Sequence, residues 1–459
     1  MYSTCMPVCQ AEVVFRSKQV LLDDCLQEAA IVVGKDGCIS KVLRAHQLAS
    51  IPTNVEVIDG GENVIMPGLV DSHVHVNEPG RVSWEGYKTA TKAAAAGGIT
   101  TIVDMPLNSI PPTTTVQNLK TKLAAAEGQV HVDVAFWGGV IPGNQAELKG
   151  LVKAGVVGFK CFLCPSGVGE FPGVNTVDVV GALEELQDLD TVLAFHAECG
   201  LGTAHQGNGD PTEYETYLNT RPPEMEIEAI RIVCQLCAKY RVRCHIVHLS
   251  TAEGLPFIQA TKAGGNPLTV ETCHHYLNFA SENIPKGATQ YKCCPPIRNL
   301  SNQEQLWSAI SSGAIDLVVS DHSPATADLK HLDDGDFLQA WGGIASVQFG
   351  LSLFWTQAQK RGLGILDLAR LLSQKPASLC GLQNRKGQIK EGMDADLVIW
   401  NPNACFKVED SIIQFKNKIT PYLGMQLHGK VIRTVVRGQT VYQDGLPFPP
   451  PVGQLLLSA

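Results

Sequence analysis

The 459-residue chain contains no apolar run of the roughly 18–20 residues that a membrane-spanning helix requires. It has no surplus of positive charge: the net charge of −9 argues against nucleic acid or an anionic membrane as the main partner. Its start, Met1 to Arg16, lacks a basic segment followed by an apolar core, so a secretory leader is not expected. No strand-like run leads into a Gly-x-Gly-x-x-Gly turn, which removes support for a dinucleotide-binding open sheet. No repeat of solenoid period is present, and Leu457-Ser458-Ala459 is not the Ser-Lys-Leu peroxisomal address. With 44% hydrophobic and 18% charged residues, the composition is that of a globular protein rather than a disordered or fibrous one.

What the chain has in number is cysteine. There are 15, an odd count, in a chain long enough to need no staples. Several, such as Cys161, Cys244 and Cys273, lie inside apolar runs, as expected for buried, reduced thiols in a reducing compartment. Cys161-x-x-Cys164 and Cys234-x-x-Cys237 have finger spacing, but the partner ligands of a zinc finger are not at the right distance along the chain.

Residues 11–60 read as short strands, Ala11–Arg16, Gln19–Leu22, Ala30–Val33 and Ile39–Leu43, with a turn at Asp36-Gly37. From Val64 the pattern changes to apolar strands alternating with amphipathic helical stretches, the signature of βα units. Eight strands are expected: Val64–Val70, Thr100–Met105, Val132–Trp137, Val156–Phe162, Val192–His196, Arg243–Leu249, Leu268–Cys273 and Asp316–Ser320. Between them, helices are expected over Trp84–Ala96, Val116–Ala125, Val177–Leu189, Glu224–Tyr240 and Asn302–Ser311. Eight such repeats predict an α/β fold, a (β/α)8 TIM barrel, over residues 64–379. After Leu379 the chain turns β-rich again, at Gly387–Ile389, Ala395–Trp400 and Val431–Val441. Residues 1–63 and 380–459 are therefore expected to pair in one small β-sandwich, with Pro449-Pro450-Pro451 starting an extended tail.

Ligand-type residues fall at the ends of several of these strands, where a barrel assembles its active site. His73 and His75, two apart on one strand, face the same side and can converge on one ion, and Asp71 shares their parity at greater depth. His196, His248 and Asp321 close or nearly close three further strands. Lys160 lies inside the apolar run Val156–Phe162, where burial should lower its pKa. A neutral amine there could form a Schiff base with a carbonyl substrate, or react with carbon dioxide to give a carbamate able to bridge two metals. Four imidazoles with carboxylate-type oxygens suit Zn²⁺, with Co²⁺, Mn²⁺ or Fe²⁺ as alternatives. His322 is a candidate to orient substrate or Asp321. His245 is expected to face the helices; one of His274 and His275 is expected near the site. His46, His131, His205, His331 and His428 carry no special context.

These residues resemble the cyclic amidohydrolases of the amidohydrolase superfamily over nearly the whole chain, including the segment Lys386-Gly387-x-Ile389-x-x-Gly392-x-Asp394-Ala395-Asp396. The resemblance implies two divalent metals, one on His73, His75 and Asp321, the other on His196 and His248, bridged by a carboxylated Lys160. It also implies Asp321 as catalytic base, and commonly a homotetramer. Within the family the chain is most similar to members that open the hydantoin ring of allantoin. The segments that carry this are Asn77-Glu-Pro-Gly-Arg81-x-x-Trp84-Glu85-Gly86, Asp104-Met-Pro-Leu-Asn108, Ser320-Asp-His-Ser-Pro324 and Gln339-Ala-Trp341-Gly-Gly-Ile344. Dihydroorotases carry an arginine where Asn77 stands, and dihydropyrimidinases and hydantoinases a tyrosine where Pro165 stands; Asn77 suits a neutral ring better. The resemblance implies that the loop Cys293 to Arg298 offers backbone groups to the ring; Asn77, Asn108 and His322 are further candidate substrate contacts, and Arg81 is expected to brace its loop. Collapsin-response mediator proteins share the fold but have lost metal ligands, all of which are kept here. The expected partner is a small molecule, in the cytosol by default, with peroxisome or mitochondrion open.

Overall fold

Eight short parallel strands alternate with helices between Leu69 and Val319 in a computed structural model that describes residues 11–200 and 207–458. Expectations placed on residues 1–10, on His205 and on Ala459 lie outside these residues. The strands are β1 Leu69–Val74, β2 Ile99–Asp104, β3 Asp133–Phe136 (resuming at Gly138–Gly139), β4 Phe159–Phe162, β5 Val192–His196, β6 Arg243–Ile246, β7 Leu268–Cys273 and β8 Leu317–Val319. They pair in sequence order, β1 to β3 as one run and the continuation of β3 through to β8 as another. The five expected helices form at Tyr87–Ala96, Val116–Ala126, Thr176–Leu186, Pro223–Tyr240 and Leu300–Ser311. Their starts follow local chemistry. The Thr115 side chain accepts from Asn118 N, and Asn175 with Asp178 forms a capping box.

Two seams close the barrel. Between β8 and β1 the buried Asp71 carboxylate accepts from Ser320 N at 3.3 Å and from His73 N at 3.1 Å, and His75 N donates to His322 O at 2.8 Å. Burial raises the Asp71 pKa to about 6. Between β3 and β4 the upper halves pair directly, Val157 N to Phe136 O and Gly138 N to Gly158 O. The lower gap is filled by the C-terminal tail. Val134 N donates to Gln454 O, Leu456 N to Val134 O and Ser458 N to Gly155 O. The expected extended tail is thus hydrogen-bonded to the barrel as an added strand-like segment.

The flanking segments build one hydrogen-bonded mixed sheet of eight strands. Its longest N-terminal strand, Ala11–Leu22, spans both segments expected there and shifts register between Ser17 and Val20. Before the shift it pairs with Glu56–Asp59, after it with Val64 and Ile65. Such a shift lets one strand serve both layers of a sandwich. Phe15, Val20, Ile31, Ile65, Leu397 and Val435 form the core of this unit.

Three expectations change. Val64–Pro67 pairs with Leu397–Lys407 in the small sheet, so the first barrel strand begins after Gly68. A Cβ on Gly68 would lie 2.2 Å from the Thr100 side chain, which is why the chain crosses between units on glycine. Residues 387–389 form no strand. Val431–Val441 is two strands, Gln426–Val436 and Gln439–Gln443, turning at Arg437-Gly438 with both residues at positive φ.

A buried ion cluster joins the two units. Lys386 Nζ lies 2.6 Å from Asp133 at the start of β3, 2.8 Å from Asp394 and 2.7 Å from Asp396. Arg437 pairs with the other Asp133 oxygen and donates to Val452 O in the tail. Burial alone would lower the Lys386 pKa; the three carboxylates outweigh it and raise it. Breaking such a cluster leaves uncompensated buried charge. Lys386→Met should therefore cost about 3–5 kcal/mol in urea unfolding; a loss below about 1 kcal/mol would show that the cluster is dispensable.

Candidate metal centre

The structure brings His73, His75, Lys160, His196, His248 and Asp321 to the wall of one cavity of about 560 Å³ at the C-terminal ends of the strands. His73 is in β1, Lys160 in β4 and His196 ends β5. His75, His248 and Asp321 sit just beyond β1, β6 and β8. His248 and Asp321 have positive φ, 38° and 45°, as do Asn77 and Asn108 at 66° and 67°. For His248 and Asp321, off the regions open to ordinary side chains, this costs of order 1–3 kcal/mol each.

Hydrogen bonding fixes which ring nitrogens remain available. His73 Nδ1 lies 2.5 Å from Glu271 Oε1, so it carries the proton and Nε2 presents a lone pair. That Nε2 has no hydrogen-bond partner, is buried, and stands 3.2 Å from Asp321 Oδ1. His75 Nε2 faces the same oxygen at 3.5 Å, with Asn108 Nδ2 3.3 Å from its Nδ1. His196 Nε2 lies 2.7 Å from Glu198, leaving Nδ1 to face His248 Nε2 at 3.0 Å. His73 Nε2 and His196 Nδ1 thus face the cavity as lone pairs, as metal ligands must. The donor set fits divalent metal.

Lys160 is 1% exposed, and none of the hydrogen bonds or ion pairs found among the described residues reaches its Nζ, which lies 5.0 Å over the Phe162 ring. Burial lowers its pKa to about 8, against the pull of Asp321 and Glu271. Burial would raise Asp321, but the imidazoles of His73 and His75 overcome it and hold the carboxylate well below its usual range.

Two carboxylates that sequence reading passed over organise the centre. Glu271, in β7, holds His73 and accepts from His248 N at 3.3 Å; its other oxygen lies 3.0 Å from His245 Nε2. His245 therefore points into the barrel and not toward the helices. Counting parity back from His248 fails because β6 ends at Ile246. Glu198 is bound by His196 and, at 2.5 Å, by Arg221. Both carboxylates are held near a pKa of about 2: burial would raise them, and their cationic and imidazole partners overcome it. A charged residue inside an apolar strand, the signal that picks out Lys160, also marks Glu271.

Among the proposed substrate contacts, Asn108 and Cys293 line the cavity, as does Pro165; Asn77 and His322 do not. Asn77 Nδ2 reaches Pro324 O at 3.4 Å. His322 is fully buried, its Nδ1 accepting from Ser346 N at 3.0 Å and its Nε2 3.3 Å from Glu85. Arg81 braces the loops, bonding Asn108 O at 2.7 Å and Glu170 at 2.5 Å. Arg221, Lys292, Tyr217 and His331 line the wall without having been singled out for it. The Cys161/Cys164 and Cys234/Cys237 pairs form no finger, although Cys164 lies near His196 and Glu198, and no disulfide joins the described cysteines.

A barrel whose strand ends converge imidazoles, a buried lysine and an aspartate on one cavity is the architecture of a metal-assisted hydrolase. The profile of the amidohydrolase family matches residues 64–441. The chain belongs to the amidohydrolase family, whose members generally bind metal ions. It is 54% identical to the mitochondrial allantoinase of Aquarana catesbeiana over 84% of this chain and 79% of that one. It is 46% identical to the allantoinase of Streptomyces avermitilis over 97% and 98% of the two chains, and 44% identical to that of Arabidopsis thaliana over 96% and 90%. In structure it is similar to the L-hydantoinase (dihydropyrimidinase) of Arthrobacter aurescens, with a TM-score of 0.90 at 29% identity covering 98% of this chain and 100% of that one. No described helix is long and apolar enough to cross a membrane.

Because Glu271 sets the His73 tautomer, Glu271→Gln should weaken metal binding about 10–100-fold with the fold intact, as read by chelator competition. Unchanged affinity would show that His73 needs no such partner.

Proposed function

We infer that the chain is an allantoinase, opening the hydantoin ring of allantoin by hydrolysis to allantoate. The observation that carries this reading is the convergence of all six ligand-type residues on one cavity, in a chain 44–54% identical to several proteins named allantoinase. His73, His75 and Asp321 would hold one divalent ion and His196 and His248 a second, with Lys160 as its N6-carboxylate bridging them. Zn²⁺ suits nitrogen and oxygen donors, and Co²⁺, Mn²⁺ or Fe²⁺ can take its place. When bound, the ions supply Lewis acidity, lowering the pKa of water and polarising a carbonyl.

The chain's own residues do the rest. Asp321 stays ionised at neutral pH and accepts the proton of the attacking water. It then returns that proton to the departing ring nitrogen. Asn108 and the Cys293 loop border the ring's place. Trp341 and Pro165 close the cavity wall. A homotetramer is carried over from the family resemblance alone. We place the enzyme in a reducing compartment, in keeping with the absence of disulfides among the described cysteines, and by default in the cytosol. The Aquarana catesbeiana relative is named a mitochondrial protein.

Metal-replete protein offered allantoin, hydantoin, dihydrouracil and dihydroorotate should turn over allantoin with the highest kcat/KM; preference for another ring would overturn the assignment. Asp321→Asn should keep most metal and lose at least about 10²-fold in kcat, whereas near-normal turnover would remove Asp321 from the proton path. Carbamate formation needs the neutral amine of Lys160. With the pKa lowered from its ordinary value to about 8, that fraction grows as pH rises toward 8. Metal reconstitution at a constant partial pressure of carbon dioxide should therefore quicken between pH 6 and pH 8, roughly tenfold per pH unit at first, and level off above. A flat profile, or unmodified Lys160 in active enzyme, would reject the carbamate.

A further inference from the structure

Two donors that have no role in the scheme above, Cys273 and His275, stand beside one of its six residues, Asp321. Cys273 ends β7, His275 is the second residue of the short helix that follows, and Asp321 reaches toward both from β8. One ligand atom from each lies within 4.8 Å of the others, and all three residues are buried. Neither nitrogen of His275 has a hydrogen-bond partner, although the ring is fully buried. A buried nitrogen left without a partner is costly, so a partner is called for. The neighbouring His274 turns away, its Nε2 packed where a Cβ on Gly350 would lie.

We propose that Cys273, His275 and Asp321 form a further, inhibitory site for a thiophilic divalent cation such as Zn²⁺ in excess or Cd²⁺. One sulfur, one nitrogen and one oxygen donor suit a soft or borderline ion better than Mg²⁺ or Ca²⁺. Burial holds the Cys273 thiol protonated, so binding releases that proton to solvent as the sulfur–metal bond forms. The consequence follows from the shared ligand. An ion here draws the Asp321 carboxylate away from the water it activates, so occupancy and turnover exclude each other. The other sulfur-bearing group, Cys164 with His196 and Glu198, is already committed. Glu198 is engaged by Arg221 at 2.5 Å and by His196 at 2.7 Å.

The inhibitory effect rests on the hydrolase reading; the site itself does not. The test titrates Cd²⁺ into enzyme holding two equivalents of metal, following a third equivalent by equilibrium dialysis, the ultraviolet cadmium–thiolate band, and turnover. The two main metal positions contain no cysteine, so displacement there gives no such band. In the wild type, the band, the third equivalent and the loss of turnover should rise together. Cys273→Ser should abolish the band and raise the half-inhibitory concentration at least about tenfold, and His275→Asn should do the latter while keeping a weakened band. Cys164→Ser should change none of the three. A missing third equivalent, or a band surviving in Cys273→Ser, overturns the proposal. Should the enzyme prefer another ring, the band and the metal count still read the site.

Discussion

Two buried carboxylates decide what the centre can do. Glu271 and Glu198 each take the proton-bearing nitrogen of one imidazole, and so turn the other nitrogen of His73 and of His196 toward the axis as a lone pair. Without them a neutral histidine can present either nitrogen, and half of the arrangements would aim a hydrogen at the place where a cation must stand. Each carboxylate is itself held. Glu271 is shared with His245 and the His248 backbone, and Glu198 with Arg221. The centre is therefore set by a second layer of charge that the ligands alone do not reveal.

That layer works only if the strand ends do not move. The barrel's weak points are its two seams, and both are closed by side chains or by distant sequence. Asp71 spans the gap from β8 to β1, and the tail beyond Gly453 spans the lower gap from β3 to β4. The tail is tied in turn through Arg437 to Asp133 and Lys386, so the small sheet, the tail and the barrel share one buried charge cluster. Positive φ at His248 and Asp321 is tolerated in this setting because the surrounding bonds over-determine it.

The legible part of the sequence was the part governed by periodicity. Alternating strands and helices placed all eight barrel strands, and polar residues at their ends picked out the six residues that meet at the cavity. What escaped depends on contacts far apart in the chain. Val64–Pro67 is as apolar as a barrel strand, and only its pairing with Leu397–Lys407 assigns it to the small sheet. Asn77 and His322 stand next to ligands in sequence, yet backbone turns send their side chains to Pro324 and to Ser346 and Glu85. His245 misled for a related reason, since alternation cannot be counted through a strand that has already ended. Arg221 and Lys292 come from loops, where no period exists to read.

Those loop residues bear on which ring the cavity accepts. Arg221 and Lys292 on its wall would seem to invite a carboxylate-bearing substrate, but both are committed. Arg221 bonds Glu198 at 2.5 Å. Lys292 donates to Leu338 O at 3.1 Å and Ala340 O at 2.5 Å, so its charge is spent on holding the Gln339–Gly343 tract in place. Binding an anion would have to break one of these buried bonds at a cost of about 1–3 kcal/mol. A neutral ureide asks for no such exchange, because its carbonyls and amides can share hydrogen bonds with groups already in place. The preference for a neutral ring therefore does not rest on Asn77, which stands back from the cavity. It follows from a wall on which Arg221 and Lys292 are already satisfied.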